Sequence, residues 1–370
     1  VDINLEDIRY LGEQTEDLIK IYEDLEFYSF LKNKQNVAKR EIVSDVTILK
    51  TIDNIKILEE SAIYLEILGS NYHTAKILGL AIYNSKQNLY IPFELLKNNY
   101  NILKGFDKLT YDAKKVYVAL KWQGIEIENI NYDTMLAGYL LDYNIKDDIA
   151  YLANSFNYDM PFYENVFGKT KLSEPDIKVI ASNASKKAQF IYETKNELIQ
   201  KLKDEEMADL FYNIEMPLSY VLGDMEYQGI FVDKKILNEM GEEIKIKIDE
   251  IGREIYDLAG EEFNISSPKQ LGEVLFEKMG LPHGKKKTNG YSTSIDVLNK
   301  LKDIHPIINL IIDYRMYTKL YTTYIEGLSN SILDDNKIHT IYTQALTRTG
   351  RLSSIEPNLQ NIPTRQEYGR

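Results

Sequence analysis

The sequence contains no cysteine among its 370 residues. This absence excludes disulfide bonds and metal sites built from thiolates, and it is typical of proteins in a reducing cytoplasm. No apolar run approaches the ~18 residues needed to cross a bilayer, so no membrane partner is expected. Residues 1–6 lack methionine and lack the basic-then-apolar order of a signal peptide. We therefore expect a cytoplasmic chain that is a processed product or an excerpt of a longer protein.

Positive charge is also scarce, because 44 Lys and Arg stand against 57 Asp and Glu, for a net charge of −13. Taken alone, a negative protein is a poor partner for a polyanion. The distribution is uneven, however. From residue 283 onward, twelve basic and eight acidic residues give a net +4, and the rest of the chain carries −17. A nucleic acid would therefore be expected at the C-terminal part, with chance variation as the alternative explanation of the difference.

The first ~200 residues alternate short apolar runs with helical stretches. Strands are predicted at residues 61–68, 77–83 and 87–92, and helices at residues 112–122 and 133–141. Strands that come early as hairpins and helices that follow indicate an α/β arrangement.

From about residue 204 the pattern becomes helical. Apolar residues recur at three- and four-residue steps from Leu237 to Leu258, which predicts a long amphipathic helix that stops at Gly260. Ser267 followed by Pro268 predicts the start of a shorter helix. The remaining predicted elements are the end of that helix at residue 280, a basic loop over 284–294, a helix over 306–328 and a strand over 338–346.

The most informative segment runs from residue 347 to residue 365, TRTGRLSSIEPNLQNIPTR. It is a polar loop with three arginines, two asparagines and a glutamine, whose side chains hydrogen-bond to phosphates and base edges. Arg and Gln also reach the minor groove, where acceptors lie at similar places in every base pair. These residue types fit sequence-independent contact with a duplex, but residue types alone favour a solvated loop just as well.

The order of these residues resembles the signature T-x-T-G-R-L-S-S…P-N-L-Q-N-I-P-x-R of family A DNA polymerases, the bacterial DNA polymerase I type. Segments that match in the same order lie at residues 213–218, 229–233, 261–271 and 292–294. The resemblance covers the chain from Asn213 onward and, more weakly, the part before it.

The resemblance implies a fold class of α/β plus mostly α structure. An RNase H-like 3′–5′ exonuclease-like domain, degenerate in sequence, is expected at residues 1–203. A helical polymerase thumb is expected at 204–335, and the start of the palm, with its first strand, at 336–370.

The resemblance also implies roles for individual residues. Arg351 matches an arginine that reaches the minor groove at the primer terminus, and Arg365 matches one near the phosphates of the incoming nucleotide. Arg315 and Lys319, four residues apart, match thumb residues that face DNA, with a solvated helix face as the alternative. The other residues implied in DNA binding are Thr347, Thr349, Asn358, Gln360, Asn361, Asn264 and Ser267.

The nuclease of this family hydrolyses phosphodiesters with two metal ions held by four carboxylates. Placed by the flanking pattern, those positions are occupied here by Tyr64, Glu66, Val116 and Lys187. A single carboxylate is too few for two divalent ions, and a lysine would repel them. We therefore expect no proofreading, and Glu66 is alternatively an ordinary polar strand residue.

The sequence thus predicts a portion of a DNA-directed DNA polymerase in the bacterial cytoplasm, associated with the nucleoid. Its expected partners are primer–template DNA and a C-terminal palm and fingers portion, with dNTP and Mg²⁺ in the complete enzyme. The strings that carry the catalytic carboxylates of the family do not occur in the sequence, so this segment alone should bind no metal and should not polymerise. The alternatives are a stand-alone 3′–5′ exonuclease-like DNA-binding protein and a non-enzymatic helical DNA-binding module.

Overall fold

A computed structural model of the protein describes residue 18, residues 21–22 and residues 45–362 apart from 54, 58, 146 and 285–289. Within these residues an α/β unit comes first and a mainly helical unit follows it, which confirms the predicted fold class. None of the described helices combines the length and the apolar composition needed to cross a bilayer.

The α/β unit is built on a six-stranded sheet in the order β1-β4-β3-β2-β5-β6. The strands are β1 (Thr47–Ile48), β2 (Ser61–Leu68), β3 (Lys76–Tyr83), β4 (Asn88–Pro92), β5 (Lys108–Thr110) and β6 (Ile130–Asp133). Strands β2, β3 and β4 pair antiparallel, whereas β5 joins β2, and β6 joins β5, in parallel. The three predicted strands are confirmed to within one residue.

The helices of this unit cover both faces of the sheet. They are α1 (Phe93–Asn98), α2 (Ala113–Lys121), α3 (Thr134–Leu140), α4 (Ala150–Ser155), α5 (Tyr163–Phe167) and α6 (Ile177–Asp204), with a short 3-10 turn at Tyr100–Leu103. Helices α2 and α3 begin where the sequence predicts, because the carboxylates of Asp112 and Asp133 accept the first free backbone N–H groups. The end of α6 at Asp204 coincides with the boundary predicted between the first two domains, and the division itself stays a prediction.

Burial on two faces explains the nearly continuous apolar run of β2. Ile63 and Leu65 point into one core cluster, which contains residues of α1 and α2. Ala62 and Tyr64 point to the opposite cluster, where Phe190 of α6 is buried. Because side chains of a strand alternate between faces, Glu66 lies on the same side as Tyr64.

In the helical unit, three helical elements precede the longest helix: α7 (Ala208–Leu210), a π-helical stretch (Phe211–Glu215) and α8 (Met216–Gln228). The long helix is α9 (Lys234–Ala259), and it buries Ile244 and Ile255 of the predicted apolar stripe. Gly260 ends it with a φ of 74°, in the left-handed conformation that glycine adopts without strain.

The remaining helices follow α9 along the chain. They are α10 (Pro268–Gly272) with a π-helical extension (Glu273–Lys278), α11 (Ile295–Asn299), α12 (Ile307–Lys319) with a π-helical extension (Leu320–Glu326), and α13 (Gly327–Ser329). Ser267 caps α10 by accepting the backbone N–H of Gln270, as predicted. Ile255 of α9 and Ile311 of α12 meet in one core cluster, so the amphipathic face of α9 forms the core of this unit.

The prediction of a single strand over residues 338–346 is wrong. The structure has two short strands instead, β8 (Lys337–Ile338), which pairs with β7 (Ile230–Phe231), and β9 (Ile341–Thr343), which pairs with β10 (Ser353–Ile355). Between β8 and β9 the strand is interrupted by His339 and Thr340, whose side chains bond to different parts of the chain. The His339 ring bonds to the carbonyl of Glu226 at 2.7 Å, and the Thr340 hydroxyl donates to the carbonyl of Pro357 at 2.8 Å.

The contact between β3 and β4 can be tested at Gly79, where an added Cβ atom would lie 2.6 Å from the carbonyl oxygen of Ile91. Backbone cannot yield as a flexible side chain does, so Gly79→Ala is expected to lower the free energy of unfolding by about 1–3 kcal/mol. Gly284→Ala is the control, because no atom lies within 4 Å of its added Cβ. Urea titrations that gave both variants the same stability would contradict this close packing.

Candidate functional site

The arginine-bearing loop leaves β9 and returns as β10. It turns at Gly350, which has a φ of 71°, and its backbone N–H donates to the carbonyl of Thr347 at 3.3 Å. The Thr347 hydroxyl donates to the carbonyl of Arg351 at 2.7 Å, and Thr349 lies exposed at the turn. These bonds close the loop on itself and leave the Arg351 side chain exposed.

The amide residues that follow keep the loop in shape. The side-chain oxygen of Asn358 accepts the backbone N–H of Gln360 at 3.0 Å, and the Gln360 side chain donates to the carbonyl of Leu352 at 3.1 Å. The carbonyl of Asn361 accepts the hydroxyl of Tyr324, which belongs to the helical unit. Asn358, Gln360 and Asn361 are all exposed, so the structure brings them together on one surface with the loop.

A groove of about 580 Å³ lies in the helical unit. Its lining residues are Ser266, Pro268, Tyr291, Ser292, Thr293, Ser294, Arg315, Thr318, Lys319 and Thr322. Arg315 and Lys319 therefore share one surface with the start of α10. Lys319 is exposed, whereas the Arg315 guanidinium donates to the carbonyl and the hydroxyl of Thr293, at 2.5 and 3.1 Å. Burial lowers the pKa of Arg315.

The other residues predicted to bind nucleic acid divide into two groups. Asn264 and Ser267 adjoin this groove, and the side chain of Asn264 accepts the backbone N–H of Ser266 at 3.0 Å. Arg365 lies outside the described residues, as do residues 285–289 of the predicted basic loop.

Three of the four predicted nuclease positions meet on one face of the sheet. The Lys187 ammonium lies 2.8 and 3.1 Å from the two carboxylate oxygens of Glu66, and both side chains are 1% exposed. Asn183 donates to the same carboxylate at 3.0 Å, and the ammonium lies 4.5 Å from the centre of the Tyr64 ring. The carboxylate is therefore part of a buried ion pair.

Val116 does not join this group, because it is buried in the core cluster on the opposite face of the sheet. The residue of α2 that faces Tyr64 is Lys115, whose ammonium lies 5.9 Å from the ring centre and whose pKa is lowered by burial. Burial, and after it the charges of Glu66, Asp148 and Asp112, raise the pKa of the Tyr64 hydroxyl.

Asp112 is a carboxylate near this group that the sequence analysis does not single out. Its side chain caps α2, and its charge is among those that raise the pKa of Tyr64. Among the residues that the structure describes, no group of three or more His, Cys, Asp or Glu side chains is placed to hold a metal ion.

A second buried network joins the α/β unit to the loop region. Glu226 of α8 is 1% exposed, and its carboxylate accepts the Lys114 ammonium, the Tyr72 hydroxyl and the backbone N–H of Tyr342, each at 2.7 Å. Burial raises the pKa of this carboxyl group, and the charge of Lys114 opposes the rise. Nothing in the sequence marks Glu226, because its three partners come from distant parts of the chain.

An aromatic cluster packs beside this network. His73 lies against Trp122 and accepts its indole N–H at 3.0 Å. Burial lowers the pKa of His73 to about 4, so the ring is neutral at physiological pH. The cluster and the carboxylate together form a buried junction between β9 and the α/β unit.

The two units match two family models. Residues 63–194 match the ribonuclease H-like domain of DNA polymerase I, and residues 234–370 match DNA polymerase family A. The fold and these matches define the class of protein: an RNase H-like exonuclease domain is joined to the helical part of a polymerase. The chain belongs to DNA polymerase family A.

Curated relatives are similar in sequence to this chain along its whole length. DNA polymerase I of Bacillus subtilis (strain 168) is 39% identical over 387 residues, which cover all of this chain and 44% of that protein. DNA polymerase I of Streptococcus pneumoniae (strain TIGR4) is 41% identical over 380 residues, which cover all of this chain and 43% of that protein. The chain thus spans less than half the length of these relatives.

A solved structure is similar as well. The POL domain of Pol1 from M. smegmatis, in complex with DNA primer-template and dNTP, matches with a TM-score of 0.69 and 28% identity. The match covers 84% of this chain and 53% of that one.

The ion pair between Glu66 and Lys187 can be tested by removing one partner. Lys187→Met would leave a buried carboxylate unpaired, so the free energy of unfolding is expected to fall by about 3–5 kcal/mol. Adding Glu66→Gln should recover part of this loss, because a neutral amide costs less to bury.

The control for this test is Lys76→Met, which removes a pair with Glu174 whose side chains are 62% and 43% exposed. Such pairs contribute about 0–1 kcal/mol. Equal losses for the buried and the exposed pair in urea titrations would show that the Glu66 carboxylate is not held as described.

Proposed function

We propose that this chain is the portion of a DNA-directed DNA polymerase that holds the primer–template during template-directed addition of dNTPs. The observation that carries the proposal is the exposed side chain of Arg351 at the tip of a closed loop, beside the exposed amides of Asn358 and Gln360. Polar groups presented in this way can contact a minor groove without reading the sequence.

The groove of the helical unit would receive the backbone of the duplex. Lys319 and Arg315 supply positive charge there, beside the start of α10 near Asn264 and Ser267. Phosphates attract such positive charge. The related POL domain was solved with DNA primer-template and dNTP, which supports the same partners for this chain. The role of Arg365 toward the nucleotide phosphates belongs to the same proposal.

The nuclease-like unit is proposed to be inactive in proofreading. Its retained carboxylate, Glu66, is already neutralised by Lys187, and Lys115 adds a second positive charge beside Tyr64. A divalent ion placed there would have to displace a buried ammonium and would meet like charge. These contacts also oppose the alternative of a stand-alone exonuclease. The proposed division of labour follows the predicted domains, 1–203, 204–335 and 336–370.

The catalytic metal, Mg²⁺ in this proposal, would be held by the palm and fingers portion of the complete enzyme and would supply two-metal chemistry there. The described residues of this chain do not fit such an ion, so its role is confined to binding and orienting DNA. Ile230 and Phe231 of β7, 48% and 67% exposed, are candidates for contact with that portion. The complete enzyme would act at the nucleoid in the bacterial cytoplasm.

Binding of a fluorescent primer–template to this chain tests the proposed grip. The affinity is expected to fall steeply between about 50 and 200 mM salt, because phosphate contacts release counterions. Arg351→Ala should weaken binding about tenfold, which is about 1.4 kcal/mol and lies within the ~1–3 kcal/mol of a groove contact.

Arg348→Ala is the matched control from the same loop. The Arg348 side chain is exposed, and its Nε atom lies 3.8 Å from a carboxylate oxygen of Asp142, which is also exposed. An affinity that ignores salt, or an Arg351→Ala variant that binds like the control, would refute the proposed role.

The inactive nuclease has its own test. Incubated with single-stranded DNA and Mg²⁺, the chain should release no nucleotides, because Glu66 is paired with Lys187. Digestion above the background of a Glu66→Gln variant, measured on gels of end-labelled DNA, would contradict the proposal.

A further inference from the structure

The turn of the loop that carries Arg351 is hydrogen-bonded to the nuclease-like unit by the side chain of Tyr139. The Tyr139 hydroxyl donates to the carbonyl of Thr347 at 2.7 Å. The same carbonyl accepts the backbone N–H of Gly350 across the turn. Burial, and after it the charge of Glu215, raise the pKa of Tyr139, and the N–H of Gly350 opposes that rise.

Tyr139 stands on a rigid base. It is the penultimate residue of α3, whose first turn is capped by the buried carboxylate of Asp133 through bonds to the backbone N–H groups of Met135 and Leu136. Leu136 and Ala137 are fully buried in the core. A hydroxyl on such a helix has little freedom to move, so its hydrogen bond restrains the turn at Thr347.

The strands that lead into the loop rest on the same unit. Ile341 of β9 is buried in the cluster of Ile63 and Leu65, and Ile355 of β10 packs against that cluster. The carboxylate of Glu226, held by Lys114, accepts the backbone N–H of Tyr342. The base of the hairpin is therefore set by apolar packing and a buried carboxylate, and its tip by the Tyr139 hydroxyl.

We propose that Tyr139 is a positioning residue for Arg351, so that the nuclease-like unit, without nuclease chemistry of its own, sets the grip on the primer terminus. The proposal rests on the proposed function, because it assigns the loop a duplex to hold. Thr347 and Arg351 are joined by a further bond, from the Thr347 hydroxyl to the Arg351 carbonyl. A turn released at Thr347 therefore loosens the backbone that carries the guanidinium.

Tyr139→Phe removes the hydroxyl and keeps the ring. The matched control is Tyr220→Phe, since Tyr220 is also half-buried and its hydroxyl donates to a backbone carbonyl, that of Ile130, at 3.2 Å. Amide hydrogen exchange over residues 347–351, measured without DNA, should speed up about threefold to tenfold in Tyr139→Phe and stay unchanged in the control. Unchanged exchange in both variants would overturn the positioning role.

A binding measurement then connects the turn to the primer end. With a fluorescent primer–template, Tyr139→Phe should bind about threefold to tenfold more weakly than the control. If the hydroxyl acts through the arginine, Tyr139→Phe should add nothing to Arg351→Ala in the double variant. Additive losses, or a Tyr139→Phe variant that binds like the control, would overturn the inference.

The two hypotheses fail in different ways. A wild-type chain that shows no salt-dependent binding of primer–template would refute the proposed function, whatever the exchange data show. Wild-type binding that depends on Arg351 but not on Tyr139 would refute the positioning role and leave the proposed function standing.

Discussion

The carboxylate of Glu226 is the contact on which the relation between the two units depends. It is buried, and it is held by an ammonium and a phenol from the α/β unit while it holds a backbone N–H of β9. A buried charge is tolerated only when its hydrogen bonds are satisfied, so the three partners have to be present together. This requirement links the sheet of one unit to the hairpin of the other more specifically than apolar packing could.

The buried group of Glu66, Lys187 and Tyr64 is organised by the same physics. Where the family places carboxylates around metal ions, this chain has a carboxylate, two ammonium groups and a phenol ring packed together. Lys187 pairs directly with the carboxylate, and the Lys115 ammonium lies 5.9 Å from the centre of the Tyr64 ring. This pair is buried beside the apolar core of the unit.

Local patterns in the sequence predict much of the fold. The apolar run of β2, the three- and four-residue steps of α9 and the cap at Ser267 each depend on residues close in sequence, and each is confirmed. The strand predicted over 338–346 failed because its break depends on partners of His339 and Thr340 that lie elsewhere. Val116 was misplaced for a related reason: one turn of helix decides which face of the sheet a side chain meets, and the sequence does not show the sheet.

The sequence by itself determined the family, the order of an α/β unit and a helical unit, and the residue types that fit a duplex, because these depend on local order and on a long motif. Only the tertiary structure decided that Glu66 is paired with Lys187, 121 positions away, and that Tyr139 reaches a loop 208 positions away. Contacts over such separations arise from how the sheet, helices and hairpin pack together. The residues that adjoin Glu66 and Tyr139 in the sequence do not indicate these partners.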